Sequence, residues 1–241
     1  MADIHCHIIP YVDDGAMNDE EAEGMLRMQA EQGVKVICCT PHLRKDMFET
    51  KDEKIREHFY SLKKLAEDAG IDIILALSRE YHADGRLREK LENDEVIPMG
   101  EGNVILTEFS RAHSINDMER YIRLIESKGY RPLIAHAERY PALAGDIRKI
   151  KALKEMGAMI QVNAGSVLGR EGREQAAWVK KILKNHLADV IASDAHGTQF
   201  RIPELKECRR KTERSLGREY ADDLFYTTPL KILMKPRRRS I

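Results

Sequence analysis

Two short segments of the chain carry paired side chains that are suited to binding metal ions. His5 and His7 lie two residues apart, and Asp194 and His196 repeat that spacing almost at the other end of the sequence. Each pair follows an apolar run that is typical of a β-strand. Because residues i and i+2 of a strand point to the same face, the two side chains of each pair should converge. We therefore predict that the first and last strands meet at one metal site.

Further candidate ligands follow most of the strands predicted between these two pairs. The full set of candidate metal ligands is His5, His7, Asp14, His42, Glu80, Glu108, His136, Asp194 and His196. Imidazole mixed with carboxylate suits Mn, Fe or Zn better than Mg or Ca, which prefer oxygen ligands alone. So large a set predicts two to three divalent or trivalent transition-metal ions, with Mn expected first and Fe or Zn as alternatives. Neighbouring cations of this kind favour the hydrolysis of phosphate esters.

The elements that must position these side chains alternate regularly between strand and helix patterns. Strand-like runs are predicted over 2–6, 34–40, 71–77, 103–109, 131–136, 158–163 and 187–193. Helical patterns are predicted over 18–32, 51–69, 84–92, 116–128, 145–156, 171–184 and 203–215. Such alternation indicates a parallel α/β fold, either a barrel or a doubly wound sheet. Because the polar residues gather at the ends of nearly all strands, and a barrel brings those ends around one cleft, we predict a distorted (β/α)7 TIM-like barrel.

Composition narrows the class of protein further. The length of 241 residues suits one domain, and 40 basic residues balance 40 acidic ones, so no global field favours nucleic acid. The chain has no run of 18 apolar residues, which argues against direct membrane insertion. The four cysteines show no disulfide-framework spacing, so we expect a reducing, cytoplasmic setting. The basic segment 235–239 is interpreted as a solvated tail, and no pattern predicts an oligomeric state.

Some residues that could be mistaken for functional ones are expected to be structural. The histidines outside the strand-end set are His58, His82, His113 and His186. Cys38 and Arg44 have the spacing of a cysteine-phosphatase loop, but the five residues between them include no glycine and Cys38 lies inside an apolar strand run. That chemistry needs backbone N–H groups that cradle phosphate and a thiol of depressed pKa. We therefore expect no thiol nucleophile.

Several of these segments, taken in order, resemble the bacterial polymerase-and-histidinol-phosphatase (PHP) proteins. The likeness is to their capsule-locus branch, the CpsB/CapC/YwqE-like protein-tyrosine phosphatases, and it covers about residues 1–205. The segments that carry it are 5–10, 13–15, 40–42, 106–109, 135–140 and 193–196. The resemblance implies the PHP fold over a single domain, 1–241, although the tail after about residue 220 does not look like the usual family ending.

The resemblance also implies a division of labour within the site. One ion would be held by His5, His7, Glu80 and Asp194, a second by Glu80, Glu108 and His136, and a third by Asp14, His42 and His196. Arg139 and Arg201 match arginines that grip the phosphoryl group, a role suited to the bidentate guanidinium fork. The implied substrate is the phosphotyrosine-bearing tail of a bacterial tyrosine autokinase that regulates capsule or exopolysaccharide synthesis.

Other functions remain open at this point. One alternative is another PHP phosphomonoesterase, such as a histidinol-phosphate phosphatase. An amidohydrolase also opens with His-x-His but often needs a bridging lysine, and no lysine ends a strand here. A catalytically inactive binding module is a third alternative, which the intact ligand set disfavours. The sequence departs from the family at Arg79, which precedes Glu80 and should point to the opposite strand face, and at Glu138, where a proline is common.

Overall fold

The fold was analysed on a computed structural model that describes residues 1–234. The strands are β1 (Ala2–Cys6), β2 (Val36–Cys39), β3 (His42–Leu43), β4 (Ile74–Leu77), β5 (Glu80–His82), β6 (Val104–Glu108), β7 (Arg131–Ile134), β8 (Met159–Asn163) and β9 (Val190–Ala192). The pairs β2/β3 and β4/β5 each continue one of the seven predicted strands after a short break. The basic segment 235–239, interpreted above as a solvated tail, lies outside the described residues.

All seven predicted helices are present. The helices are α1 (Asp19–Glu31), α2 (Asp52–Asp68), α3 (Gly85–Glu92), α4 (Ile115–Ser127), α5 (Ile147–Glu155), α6 (Ala164–Leu168), α7 (Arg173–Lys184), α8 (Leu205–Leu216), α9 (Arg218–Asp222) and α10 (Thr228–Leu233). Several begin where side-chain caps predict it: Asn18 accepts a hydrogen bond from the first turn of α1, and Ser114 forms a capping box with Asp117 at α4. Helices α6, α9 and α10 were not predicted.

The strands form a parallel, distorted barrel, as predicted. They are hydrogen-bonded in the orders β1-β2-β4 and β3-β5-β6-β7-β8-β9. Beyond β9 the chain rejoins β1, because Asp194 N donates to His5 O at 2.8 Å and His7 N donates to Ala195 O at 2.9 Å. The ring is therefore closed at the carboxyl ends of the strands. At the other end β4 and β6 do not pair within the described residues, and the segment 97–102 lies beside that gap.

The interior of the barrel is an apolar cluster to which most strands contribute. Its buried members are Ala2, Ile4, Cys38, Met99, Val104, Leu106, Leu133, Ala135, Met159, Val190, Ala192 and Ile232. Ile232 comes from α10, so the end of the described chain closes the barrel opposite the carboxyl ends of the strands. Contact there is backbone to backbone: Glu101 N donates to Leu233 O at 2.9 Å, and a Cβ on Gly102 would lie 2.0 Å from Ile232 O. Only glycine fits at residue 102.

A β-bulge in β1 decides which side chains enter this interior. Ala2 and Ile4 belong to the interior cluster, whereas Cys6 packs in the outer core against the helices. Strict alternation would then turn His5 outward, but the pairing of β1 with β2 shifts register between Asp3 and Cys6. Bulges of this kind re-aim side chains next to functional sites. Here the bulge places His5 on the interior side of the strand.

Two findings bear on the expected compartment and on the thiols. Across residues 1–234, no helix combines the length and apolar character that crossing a bilayer requires. All four cysteines are free and buried. Burial raises the pKa of the Cys38 thiol, so the Cys38–Arg44 spacing does not produce a reactive thiolate.

Candidate metal centre

The first predicted ligand group meets at the closed end of the barrel. The Nε2 atoms of His5 and His7 lie 3.2 Å apart. His5 Nε2 is 3.2 Å from Glu80 Oε2 and 3.3 Å from Asp194 Oδ1. All four side chains are buried, and their ligand atoms lie within 4.8 Å of one another. Strands β1 and β5 and the turn after β9 thus supply one compact group that could hold a metal ion.

Two more ligand groups adjoin the first one. One contains His7, Asp14, His42 and His196, and the other contains His42, Glu80 and Glu108. His42 lies between them, with Nδ1 3.0 Å from Glu80 Oε2 and Nε2 3.5 Å from Asp14 Oδ1. His136, which the family resemblance grouped with Glu80 and Glu108, has Nε2 3.0 Å from Glu80 Oε1 and 3.9 Å from Glu108 Oε1. Every predicted ligand is therefore in the cluster, and Glu80 is at its centre.

Unpartnered polar atoms in this cluster test whether metal ions fit. Within residues 1–234, four of the buried side-chain atoms that lack a hydrogen-bond partner belong to the predicted ligands: Glu80 Oε2, Asp194 Oδ1, His42 Nδ1 and His196 Nε2. Burying such atoms without partners is costly. Cations would satisfy carboxylate and imidazole lone pairs that face one another. The donor set of nitrogen and oxygen fits Mn, Fe or Zn.

Charges within the cluster keep its carboxylates ionised. Burial alone raises the pKa of Glu80, but His5 and His42 outweigh it and hold that pKa well below the usual range. Burial lowers the pKa of His5, yet Glu80 and Asp194 raise it to about 9. Burial and the neighbouring His7 lower the pKa of His196 to about 2. Carboxylates that stay ionised and an imidazole that stays neutral are in the protonation states that metal ligation requires.

Asp13 orients two of the candidate ligands and was missed by the sequence analysis. Its Oδ2 accepts hydrogen bonds from His7 Nδ1 at 2.8 Å and from His42 N at 2.9 Å, and its Oδ1 accepts from Gly15 N at 3.0 Å. The pKa of Asp13 is lowered because His7 and His42 outweigh its burial, so Nδ1 of His7 is the donor and Nε2 faces the cluster. A Cβ on Gly15 would lie 2.0 Å from His7 O, so this loop requires glycine.

Strand β8 contributes Gln161 and Asn163, which the sequence analysis also missed. Gln161 Oε1 lies 3.1 Å from His5 Nδ1 and accepts a hydrogen bond from His136 N at 2.7 Å. Asn163 Nδ2 donates to Asp194 Oδ2 at 2.7 Å. These contacts orient the ligands rather than replace them. The available signal was the same i, i+2 polar spacing at the end of the sixth predicted strand.

The two predicted phosphate-binding arginines lie beside Asp194. Arg139 Nη1 donates to Asp194 Oδ2 at 2.9 Å, and Arg201 Nη2 donates to the same oxygen at 2.6 Å. Glu171 accepts from Arg139 Nε at 3.1 Å and from its Nη2 at 2.7 Å. The side chains of Arg139 and Arg201 are 26 % and 41 % exposed, so both remain accessible from the mouth of the cluster.

Strained backbone recurs in these turns. The φ angles are +32° at His136, +52° at Asp194 and +48° at Arg201, all in the left-handed region that non-glycine residues avoid. Each costs free energy and persists because the surrounding structure holds it, a pattern common at functional sites. The ends of strands β7 and β9 are therefore shaped to aim these side chains.

Arg79 does not reach the ligand cluster. Its Nη1 donates to Asp52 Oδ1 at 2.7 Å and its Nη2 donates to His42 O at 2.6 Å, on the strand face opposite Glu80. The alternation of side chains along the strand predicted this. Among the histidines expected to be structural, His82 Nδ1 lies 3.0 Å from Glu108 Oε2. The other three, His58, His113 and His186, lie outside the ligand groups found in residues 1–234.

A family model described as capsular polysaccharide synthesis, CpsB/CapC, matches residues 1–234. This chain belongs to the CpsB/CapC family. The match runs past residue 205, where the sequence resemblance ended, and it includes α9 and α10. The ending that did not look like the family's is therefore part of the family pattern.

Individual relatives agree with this assignment. Tyrosine-protein phosphatase CpsB of Streptococcus pneumoniae is 33% identical over 239 residues, covering 97% of this chain and 98% of that protein. A solved structure, from work on YwqE of Bacillus subtilis and CpsB of Streptococcus pneumoniae as metal-dependent tyrosine phosphatases, matches with a TM-score of 0.90 at 28% identity, over 97% of this chain and 94% of the other. Histidinol phosphate phosphatase of Lactococcus lactis, at 13% identity and a TM-score of 0.58 over 93% and 94% of the two chains, shares the fold. The predicted PHP barrel is thus confirmed.

Proposed function

We propose that this chain is a metal-dependent protein-tyrosine phosphatase, with residues 1–241 forming one PHP phosphatase domain. The observation that supports the proposal most strongly is the set of buried, unpartnered ligand atoms centred on Glu80 and Asp194, next to two guanidinium groups. Cations beside arginines favour a substrate with several anionic oxygens, which a phosphate ester has and an amide lacks.

We assign the ligands to three overlapping ion sites. His5, His7, Glu80 and Asp194 would hold one ion, Glu80, Glu108 and His136 a second, and Asp14, His42 and His196 a third, with His42 able to reach both of the latter. When bound, such ions lower the pKa of water and neutralise charge on phosphate oxygens. Mn is proposed first, with Fe or Zn as alternatives.

The arginines would bind the phosphoryl group directly. Glu171 fixes Nε and Nη2 of Arg139, which leaves Nη1 directed toward Asp194 and the mouth of the cluster. Arg201 reaches the same oxygen of Asp194 from the following turn. In the metal-free protein Asp194 occupies both donors, and a phosphoryl group beside the ions would offer them alternative oxygens. Preorganised charge of this kind stabilises the transition state more than the ground state.

The proposed substrate is phosphotyrosine on the tail of a bacterial tyrosine autokinase that controls capsule or exopolysaccharide synthesis, in the cytoplasm. The names of the relatives as tyrosine-protein phosphatases and the description of the family as one of capsular polysaccharide synthesis support this. Among small phosphate esters, histidinol phosphate is the most informative competitor, because a histidinol phosphate phosphatase shares the barrel.

Metal analysis combined with a phosphatase assay tests the proposal. Protein stripped with a chelator and reloaded separately with Mn, Fe and Zn is assayed on a phosphotyrosine peptide and on histidinol phosphate. We expect two or three ions per chain, no turnover in the stripped protein, and a higher kcat/KM on the peptide. At most one ion per chain after metal-replete purification contradicts the three-site assignment. A preference for histidinol phosphate contradicts the proposed substrate.

A further inference from the structure

A cavity opens beside the two arginines and continues away from the ligand cluster. Its volume is about 460 Å³, which lies within the size range of small-molecule pockets. Asp194, Arg139 and Arg201 line its inner part, and Phe200 and Ile202 contribute apolar surface. A phosphoryl group held by the arginines would therefore have the rest of its substrate molecule next to this cavity.

Phe200 is unusual within this cavity because almost nothing covers it. It is 82% exposed, the highest fraction among the large exposed hydrophobic residues of the described chain. A single exposed apolar side chain needs no special explanation. Phe200, however, directly precedes Arg201 and shares a cavity with both predicted phosphate-binding arginines. Its position beside the reacting group gives the exposed ring a specific use.

The loop that carries Phe200 is held in place at both ends. His196 N donates to Arg201 O at 3.0 Å, and Thr198 N donates to Glu21 Oε1 at 3.4 Å. The left-handed backbone of Arg201 adds a conformation that the surroundings must maintain. The ring of Phe200 is thus presented from an ordered turn, so binding against it loses little loop entropy.

We infer that this cavity binds the aryl ring of the substrate and that Phe200 packs against that ring. The inference rests on the proposed function and deepens it. In phosphotyrosine the phosphate oxygen is attached directly to the aromatic ring, so a phosphoryl group between Arg139 and Arg201 places the ring within a few ångströms of the apolar part of the cavity. Aromatic rings attract one another in offset or edge-to-face arrangements. An alkyl phosphate has no ring for Phe200 to contact.

Competitive inhibition by non-hydrolysable phosphonates tests the inference on the metal-loaded full chain. The inhibition constants of phenylphosphonate and ethylphosphonate are measured for wild type, Phe200→Ala and Phe200→Trp. For Phe200→Ala we expect phenylphosphonate to weaken by about tenfold, the scale of one aromatic pair with its buried area, and ethylphosphonate to change by less than about twofold. Phe200→Trp should retain the preference for phenylphosphonate. Tyr60→Ala, which removes a 65% exposed aromatic ring from the outer face of α2, is the matched control.

Two results overturn the inference. Equal weakening of both phosphonates in Phe200→Ala means that Phe200 supports Arg201 and does not bind a ring. Unchanged inhibition by phenylphosphonate means that the ring lies elsewhere. Failure of the proposed function is a different result, seen in wild type as a preference for histidinol phosphate over the phosphotyrosine peptide. Because inhibition can be measured with histidinol phosphate as the assayed substrate, the two failures are distinguishable.

Discussion

The two ends of the barrel interior are built from opposite kinds of side chain. At the carboxyl ends of the strands, imidazoles and carboxylates are buried facing one another, and several of their atoms have no partner within residues 1–234. At the other end the interior is apolar and Ile232 of α10 fills it. The same strands serve both ends: β6 runs from Leu106 to Glu108, and β9 leads from Ala192 to Asp194. The apolar end stabilises a fold whose other end accepts an energetic cost, the usual trade between stability and a functional site.

Replacing the central ligand should produce the largest effect on this contrast. Glu80→Gln removes the charge shared by the ligand groups, so we expect kcat/KM to fall by at least about 10³-fold, beyond the loss of one stabilising donor. Wild type should gain thermal stability when metal is added, because ions bind the folded state, and the variant should lose most of that gain. Elemental analysis and thermal melts with and without metal measure both effects. Glu89→Gln, at an exposed position on α3, is the control. Full metal content and activity in Glu80→Gln would remove Glu80 from the centre of the site.

Arg139 separates substrate binding from metal binding at the polar end. We expect Arg139→Ala to lower kcat/KM on a phosphotyrosine peptide by about 10²–10³-fold, while metal content and Tm stay near wild type. Arg139→Lys should recover only part of the loss, because an ammonium group cannot reproduce the bidentate fork. Steady-state kinetics beside metal analysis provide the measurement, with Arg148→Ala, an 86% exposed arginine, as the control. If activity falls only as metal is lost, Arg139 is structural.

Ile232 tests the apolar end in the same way. Ile232→Ala should lower the free energy of unfolding by about 2–4 kcal/mol, since a buried side chain in a packed interior leaves a cavity. The kcat of the folded enzyme well below its Tm should stay unchanged, because the ligand cluster is at the other end of the barrel. Urea unfolding and kinetics on the same sample measure both. Ile74→Ala, at a 67% exposed position, should cost less than about 0.5 kcal/mol. A large loss of kcat in Ile232→Ala would show that the two ends are coupled.

The smallest effect on activity is expected from the buried thiols. Replacing Cys38 and Cys39 together with Ala should leave kcat within about tenfold of wild type, because burial raises the pKa of both thiols and Cys38 belongs to the apolar interior. Some stability should be lost, as for other truncations in a packed core. Turnover and chelator sensitivity are measured together, and chelation should still stop the reaction. Abolished turnover in a folded, metal-loaded double variant would point to a thiol nucleophile.

Most of the local structure could be predicted from the sequence. The apolar periodicity predicted each of the seven helices to within a few residues, because amphipathic spacing and caps such as Asn18 and Ser114 act locally. The nine candidate ligands were recognisable because each is polar and ends an apolar run, although their roles stay a proposal. The signals were weaker for Asp13, Gln161 and Asn163, since a carboxylate in a loop or an amide in a strand has many possible uses.

Tertiary structure decided how these pieces meet. Residue spacing alone made His5 and His7 converge, but a register shift between Asp3 and Cys6 placed His5 inside the barrel, and that shift depends on pairing with β2. Closure of β9 onto β1 and the entry of Ile232 into the interior likewise depend on contacts between segments far apart in the chain. Periodicity reports only which face of an element is apolar. Which faces meet, and which polar atoms are then left without partners, is determined when the whole barrel packs.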